Sequence, residues 1–316
     1  TNLVDWYPFV PPYDPESGWV VHHPWYYGEN LVYPMADFDV ALEMLNAPQS
    51  TLIAASALDQ GEGNAHRYHL ENGRNFALSI SPSYVMQEQQ VGDTLVRGYY
   101  FPQQRTGGQA AFQTTIEALQ LYNQLFGEYP YPSLSMVEAD FLHGMEYQGL
   151  YFLSRGFFDT YEGKAENFLI SIAAHETAHQ WWYGLVGNDQ ALEPWLDEAL
   201  CTYSERIFYE KRYPEALDWW WFARINYYKP DGWVDSVLHY TEGYLPYRNA
   251  VYLNGARFLE DVRQSIGDEA FFAFLRAYAE TYRGQIATGA DFFALLRQFS
   301  SVDLSAITQQ YFQNPP

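Results

Sequence analysis

Cysteine, lysine and long apolar runs are all scarce in this chain, and each scarcity excludes something. The single cysteine, Cys201, can close no internal disulfide and build no thiolate zinc site. Only three of the 316 residues are lysine, and the 17 basic side chains form no cluster able to neutralise a phosphate backbone, so nucleic acid is not an expected partner. Set against 39 acidic residues they leave a net charge of −22, which also disfavours anionic membrane surfaces. The longest apolar stretches, such as residues 168–174, fall far short of the roughly 20 residues needed to span a bilayer. The opening Thr1-Asn2-Leu3-Val4-Asp5-Trp6 has neither an initiator methionine nor a charged leader with an apolar stretch, so the natural start is expected upstream.

Core-forming material is plentiful, with 48% hydrophobic and 19% aromatic residues, and disorder is excluded. The length suits about two domains. From Trp6 to Phe101 the chain reads as short strands with Pro and Gly punctuation; residues 37–42, 75–80 and 93–101 fit a half-buried antiparallel sheet. At Thr106-Gly107-Gly108-Gln109 the period changes from two to about 3.6, which places a domain boundary there. Residues 109–126 then carry Phe112, Ile116, Leu119 and Tyr122 on one helical face. Strands return at 135–139 and 149–155, and helices are expected at 164–182, 193–211, 214–227, 249–266, 268–282 and 290–299.

The chemistry concentrates at His175-Glu176-Thr177-Ala178-His179, inside an apolar helical stretch. Positions four apart on an α-helix differ by only about 40°, so both imidazoles project from one side and can share a metal ion. Glu176 lies on the flank of that stripe, where it can polarise water without being a ligand. Trp195-Leu196-Asp197-Glu198 follows and supplies a carboxylate on the next expected helix. Two histidines and one carboxylate are the protein ligands of a catalytic zinc with an open fourth position, and imidazole favours zinc over magnesium. The expected cofactor is one Zn2+ held by His175, His179 and Glu198.

Residues 175–188 together with 195–203 resemble the zinc-binding region of the gluzincin aminopeptidases, the family of aminopeptidase N and leukotriene-A hydrolase. His143-Gly144-Met145-Glu146-Tyr147-Gln148-Gly149 resembles that family's exopeptidase motif, GAMENxG, and Tyr247 with Tyr252-Leu253-Asn254-Gly255 resembles its tyrosine pair and YxKG. The resemblance implies an α+β fold: a thermolysin-like, mainly helical catalytic domain over 108–316, preceded by a partial antiparallel β-domain over 1–107. It gives the C-terminal helical domain of larger members no counterpart here. It implies a metallopeptidase, most simply an aminopeptidase, acting on peptides. Glu176 would be the general base, Tyr252 the donor to the oxyanion, and Glu146 the partner of the substrate α-amino group. Gly144, Met145 and Tyr247 would line the substrate site. Glu205, seven residues after Glu198, either orients a ligand imidazole or is a plain surface carboxylate.

Three departures bear on activity. Tyr147 replaces the motif's Asn, His143 its first Gly, and Asn254 the lysine of YxKG. Two alternatives therefore stand beside the aminopeptidase: a zinc hydrolase indifferent to a free N-terminus, and a zinc-binding scaffold without turnover. Strong acidity and the missing start favour a secreted or cell-surface location. Oligomeric state is not legible.

Overall fold

The computed structural model describes all 316 residues. The chain divides into two compact units: Thr1–Phe9, Met35–Asn123 and Glu128–Gln180 form the first, and Val10–Pro34, Gln124–Gly127 and Trp181–Pro316 the second. No helix is long and apolar enough to cross a membrane.

The first unit is built on sheets. Ala36–Glu43 pairs antiparallel with Ala65–Gly73, and Leu78–Ser81 lies between Asn2–Leu3 and Leu52–Ala55. A five-stranded sheet comprises β1 (Val85–Val91), β2 (Thr94–Tyr100), β3 (Ser133–Ala139), β4 (Gly144–Tyr147) and β5 (Leu150–Ser154), in the order β4-β5-β3-β2-β1. β3 runs parallel to both neighbours, and all seven of its residues are buried. A strand covered on both faces has no solvent side to alternate with. The outer strands β4 and β1 pair antiparallel with β5 and β2.

This sheet continues across residue 107, joining β1 and β2 to strands that follow α1 (Arg105–Phe126). The Gly107-Gly108 pair expected at a boundary lies inside that helix. A Cβ at Gly108 would stand 2.2 Å from the Tyr100 ring, so this glycine serves close packing and not a hinge. The anticipated helical face is buried at Phe112, Ile116, Leu119 and Tyr122.

Helix α2 (Phe168–Ala178) is shorter than its apolar pattern suggests, because the Asn167 side chain accepts Leu169 N–H at 2.8 Å and starts the helix there. Every residue from Leu169 to Ala178 is buried, which explains why its hydrophobicity shows no preferred side.

The second unit is helical. It contains α3 (Trp195–Arg212), α4 (Gly255–Ile266), α5 (Asp268–Thr281) and α6 (Gly289–Phe299). Asp197 and Glu198 occupy the first turn of α3 and Lys211 and Arg212 its last, the arrangement that complements the helix dipole. Trp195 makes ring contacts with Phe258, Phe292, Phe293 and Phe312, and this aromatic cluster fastens α3 to α4 and α6.

Two expected helices are interrupted. The 214–227 stretch becomes short helical pieces around a π-helical turn, Trp220–Ile225, and 249–266 opens with another, Asn249–Asn254, before α4. Within the first turn Trp220 Nε1 and Arg224 Nε both donate to one carboxylate, that of Glu205. The second changes which residues share a side: five positions along an α-helix are roughly 140° apart, whereas a π turn closes i to i+5. Tyr247 and Tyr252 accordingly face each other with ring centroids 5.9 Å apart.

Candidate metal-binding and catalytic residues

In the first unit, His175 and Glu176 lie in the last turn of α2, and His179 caps it. All three are buried. The two Nε2 atoms stand 3.1 Å apart. Two nitrogens bound at about 2.05 Å to one tetrahedral zinc would be roughly 3.3 Å apart. The imidazole pair therefore fits a shared zinc with almost no movement.

Glu146 and Gly144 approach the same helix from β4. Side chains alternate along a strand, so Gly144 and Glu146 share one face while Met145 and Tyr147 take the other. The face of Gly144 meets Glu176: a Cβ at Gly144 would sit 2.0 Å from Glu176 Oε1. Glycine is what the general-base candidate requires opposite it. Glu146 is buried, with a carboxylate oxygen within 4.8 Å of a ring nitrogen of His179. On the other face, Tyr147 and Met145 pack into the core with Leu150, Phe152, Tyr84 and Tyr99. Replacement of the motif's Asn by Tyr147 thus fills the core and leaves the face of Glu146 alone. His143 holds a left-handed backbone conformation, φ +69°, just before the strand.

The β4–β5 turn is held on several sides. Gln180, next after His179, donates Nε2–H to Tyr147 O at 3.1 Å and accepts Gly149 N–H on Oε1 at 2.9 Å. Asn75 Oδ1 accepts Gln148 N–H at 2.8 Å.

In the second unit, Glu198 is buried in the first turn of α3. Its Oε1 accepts the Tyr252 hydroxyl at 2.6 Å. Burial, together with the negative charge of Glu198 and Glu29, holds the Tyr252 phenol well above its ordinary value, so it remains a proton donor. Tyr247 is fully buried beside it. Glu205 is also fully buried and therefore not a surface carboxylate: Arg224 donates to both of its oxygens, and Trp220 Nε1 adds a third donor at 3.0 Å.

Glu29 carries no motif or periodicity that would mark it. It follows Gly28, whose Cβ would stand 3.2 Å from the Tyr247 hydroxyl, and it brings a carboxylate oxygen within 4.8 Å of one on Glu198. Gln180 falls inside the 175–188 stretch that resembles the family's zinc-binding region, but its residue type and spacing give it no role of its own.

The family model for the Peptidase family M1 domain matches residues 110–311. Among curated proteins, Aminopeptidase M1-D of Oryza sativa subsp. japonica is 28% identical over 61% of this chain and 24% of its own length. Aminopeptidase N of Lactobacillus delbrueckii subsp. lactis is 25% identical over 89% of this chain and 36% of its own. The chain thus spans only 24% and 36% of the lengths of these two relatives. Among solved structures, an M1 zinc metallopeptidase from Deinococcus radiodurans, in a point-mutant form, superposes with TM-score 0.61 at 18% identity, covering 89% of this chain and 66% of that one. At that identity the likeness is one of fold.

Proposed function

Because the chain belongs to peptidase family M1, we propose that it is a zinc metallopeptidase that removes residues from the free N-terminus of peptides. The observation that carries this reading is the buried imidazole pair, whose 3.1 Å separation suits one tetrahedral zinc. His175 and His179 supply two ligands and Glu198 the third. Zinc bound there provides a Lewis acid that acidifies a water molecule and polarises the scissile carbonyl.

The chain's own residues do the rest. Glu176, opposite Gly144, takes a proton from the attacking water and returns it to the leaving amine. Tyr252 donates its hydroxyl to the carbonyl oxygen as negative charge develops there. Glu146 pairs with the α-ammonium of the substrate, and the outer edge of β4 offers backbone groups to an extended peptide. The net charge of −22 favours the approach of a cationic N-terminus, an effect that weakens with salt.

The test is Glu176→Gln, assayed on a peptide panel alongside metal analysis. Retained zinc with hydrolysis reduced by a factor on the order of 10² to 10⁴ supports the assignment; undiminished turnover ends it. Equal rates on free and N-acetylated peptides would remove the exopeptidase part of the reading, and stoichiometric zinc in a wild-type protein that cleaves nothing would point to a scaffold.

A further inference from the structure

We infer that Gln180 is a positioning residue for recognition of the substrate's α-amino group, acting through Glu146. The inference rests on the reading of Glu146 given above and concerns what holds that carboxylate in place.

The β4–β5 turn, residues 147–149, decides where Glu146 stands, because Glu146 is one residue from the turn on an edge strand paired only with β5. A short edge strand is readily displaced unless its end is anchored. Gly149 has φ +74° and its amide points to Gln180 Oε1, while the Tyr147 carbonyl points to Gln180 Nε2. One side-chain amide therefore satisfies a donor and an acceptor on either side of the turn, and the Tyr129 hydroxyl adds a longer contact to the same oxygen at 3.4 Å. Gln180 is 1% exposed, so water cannot replace these bonds at low cost.

The other ties to the turn come from the sheet side: Asn75 takes Gln148 N–H, and Ser135 N–H reaches the Gly149 carbonyl. Gln180 comes instead from the segment carrying His175, Glu176 and His179. It ties the turn that ends β4 to the segment carrying the imidazole pair, and Glu146 lies within 4.8 Å of His179. Loss of the amide leaves the histidines on an otherwise intact α2 and releases the strand that carries Glu146.

A pair of hydroxamates separates this role from general structural support: one made from an amino acid, the other from its analogue lacking only the α-amine. Both ligate zinc, and the ratio of their inhibition constants reports amine recognition alone. In Gln180→Met, which keeps the volume and removes both hydrogen bonds, zinc content stays at the wild-type level. The ratio falls on the order of tenfold, and KM for a free peptide rises more than kcat drops. Gln180→Asn retains an amide that is one methylene too short to reach both partners, and its ratio is intermediate; it also provides the measurement should Gln180→Met fold poorly. Equal weakening of both hydroxamates in these variants would show a merely structural role and overturn the inference. Glu146→Gln is the reference. If it too leaves the ratio unchanged, the amine-binding role of Glu146 falls and the inference with it; if it lowers the ratio while the Gln180 variants do not, the inference alone falls.

Discussion

The Tyr252 hydroxyl donates to Glu198 Oε1 at 2.6 Å, joining the proposed oxyanion donor to a proposed zinc ligand 54 residues away in sequence. The bond keeps the phenol proton directed at a carboxylate until a substrate carbonyl competes for it. Tyr252→Phe removes that donor and leaves both Glu198 and its helix in place. The expected result is a fall in kcat on the order of 10² to 10³ with KM and zinc content little changed, read by steady-state kinetics and metal analysis. An unchanged kcat would place the oxyanion donor elsewhere.

Gly144→Ala tests the approach of β4 to Glu176, the proposed general base. The added Cβ would sit 2.0 Å from Glu176 Oε1 and 2.4 Å from its Cδ, and the part that yields is the flexible end of the glutamate, not the strand. The fold and zinc content are therefore retained while turnover drops at least about tenfold, bounded by the roughly 10² to 10⁴ that a positioned acid–base group contributes. Thermal melting beside a peptide assay distinguishes this outcome from unfolding, and full activity would mean that Glu176 works from another position.

Glu138 makes stability depend on pH. It is fully buried in the central strand β3, its Oε2 accepts Phe101 N–H at 2.8 Å, and its Oε1 makes no hydrogen bond. Burial pushes this carboxyl up from 4.5 to about 7, against the smaller opposing effect of the Phe101 N–H. An acid whose pKa is higher folded than unfolded favours folding while both states are protonated. Its stabilisation is full below pH 4.5 and is lost as pH rises through about 7. The loss is on the order of 3 kcal/mol at high pH. Melting curves between pH 5 and pH 8 should show the decline in the wild type and a flatter profile in Glu138→Gln. A slope that persists in the variant would assign it to other groups.

Helix periodicity made the imidazole pair of the proposed zinc site legible. His175 and His179 share a side of any α-helix that contains both, whatever surrounds it, and local geometry of this kind depends only on spacing. The same logic failed at residues 214–227 and 249–254, where π turns replace the regular helix. Nothing within those segments announces the change. It coincides with distant partners: Glu205 for Trp220 and Arg224, and Glu198 for Tyr252.

The Gly107-Gly108 pair reads as a domain boundary in the sequence and lies inside a helix in the structure. Glycine permits a flexible link and also permits close packing, and only the Tyr100 ring against Gly108 decides between them. Read from the sequence alone, the departure at Tyr147 bears on amine recognition. Strand alternation turns that ring into the core and leaves Glu146 on the opposite face.

The sequence by itself determined the family and the spacing that sets His175 and His179 on one side of a helix, because these rest on residue identity and short spacing. Only the tertiary structure decided that Gly144 faces Glu176, that Gln180 clamps the β4–β5 turn, and that Glu29 comes close to Glu198. Each of these depends on strands and loops brought together over tens to more than a hundred residues, and a contact made by chain folding leaves no periodic mark on either partner.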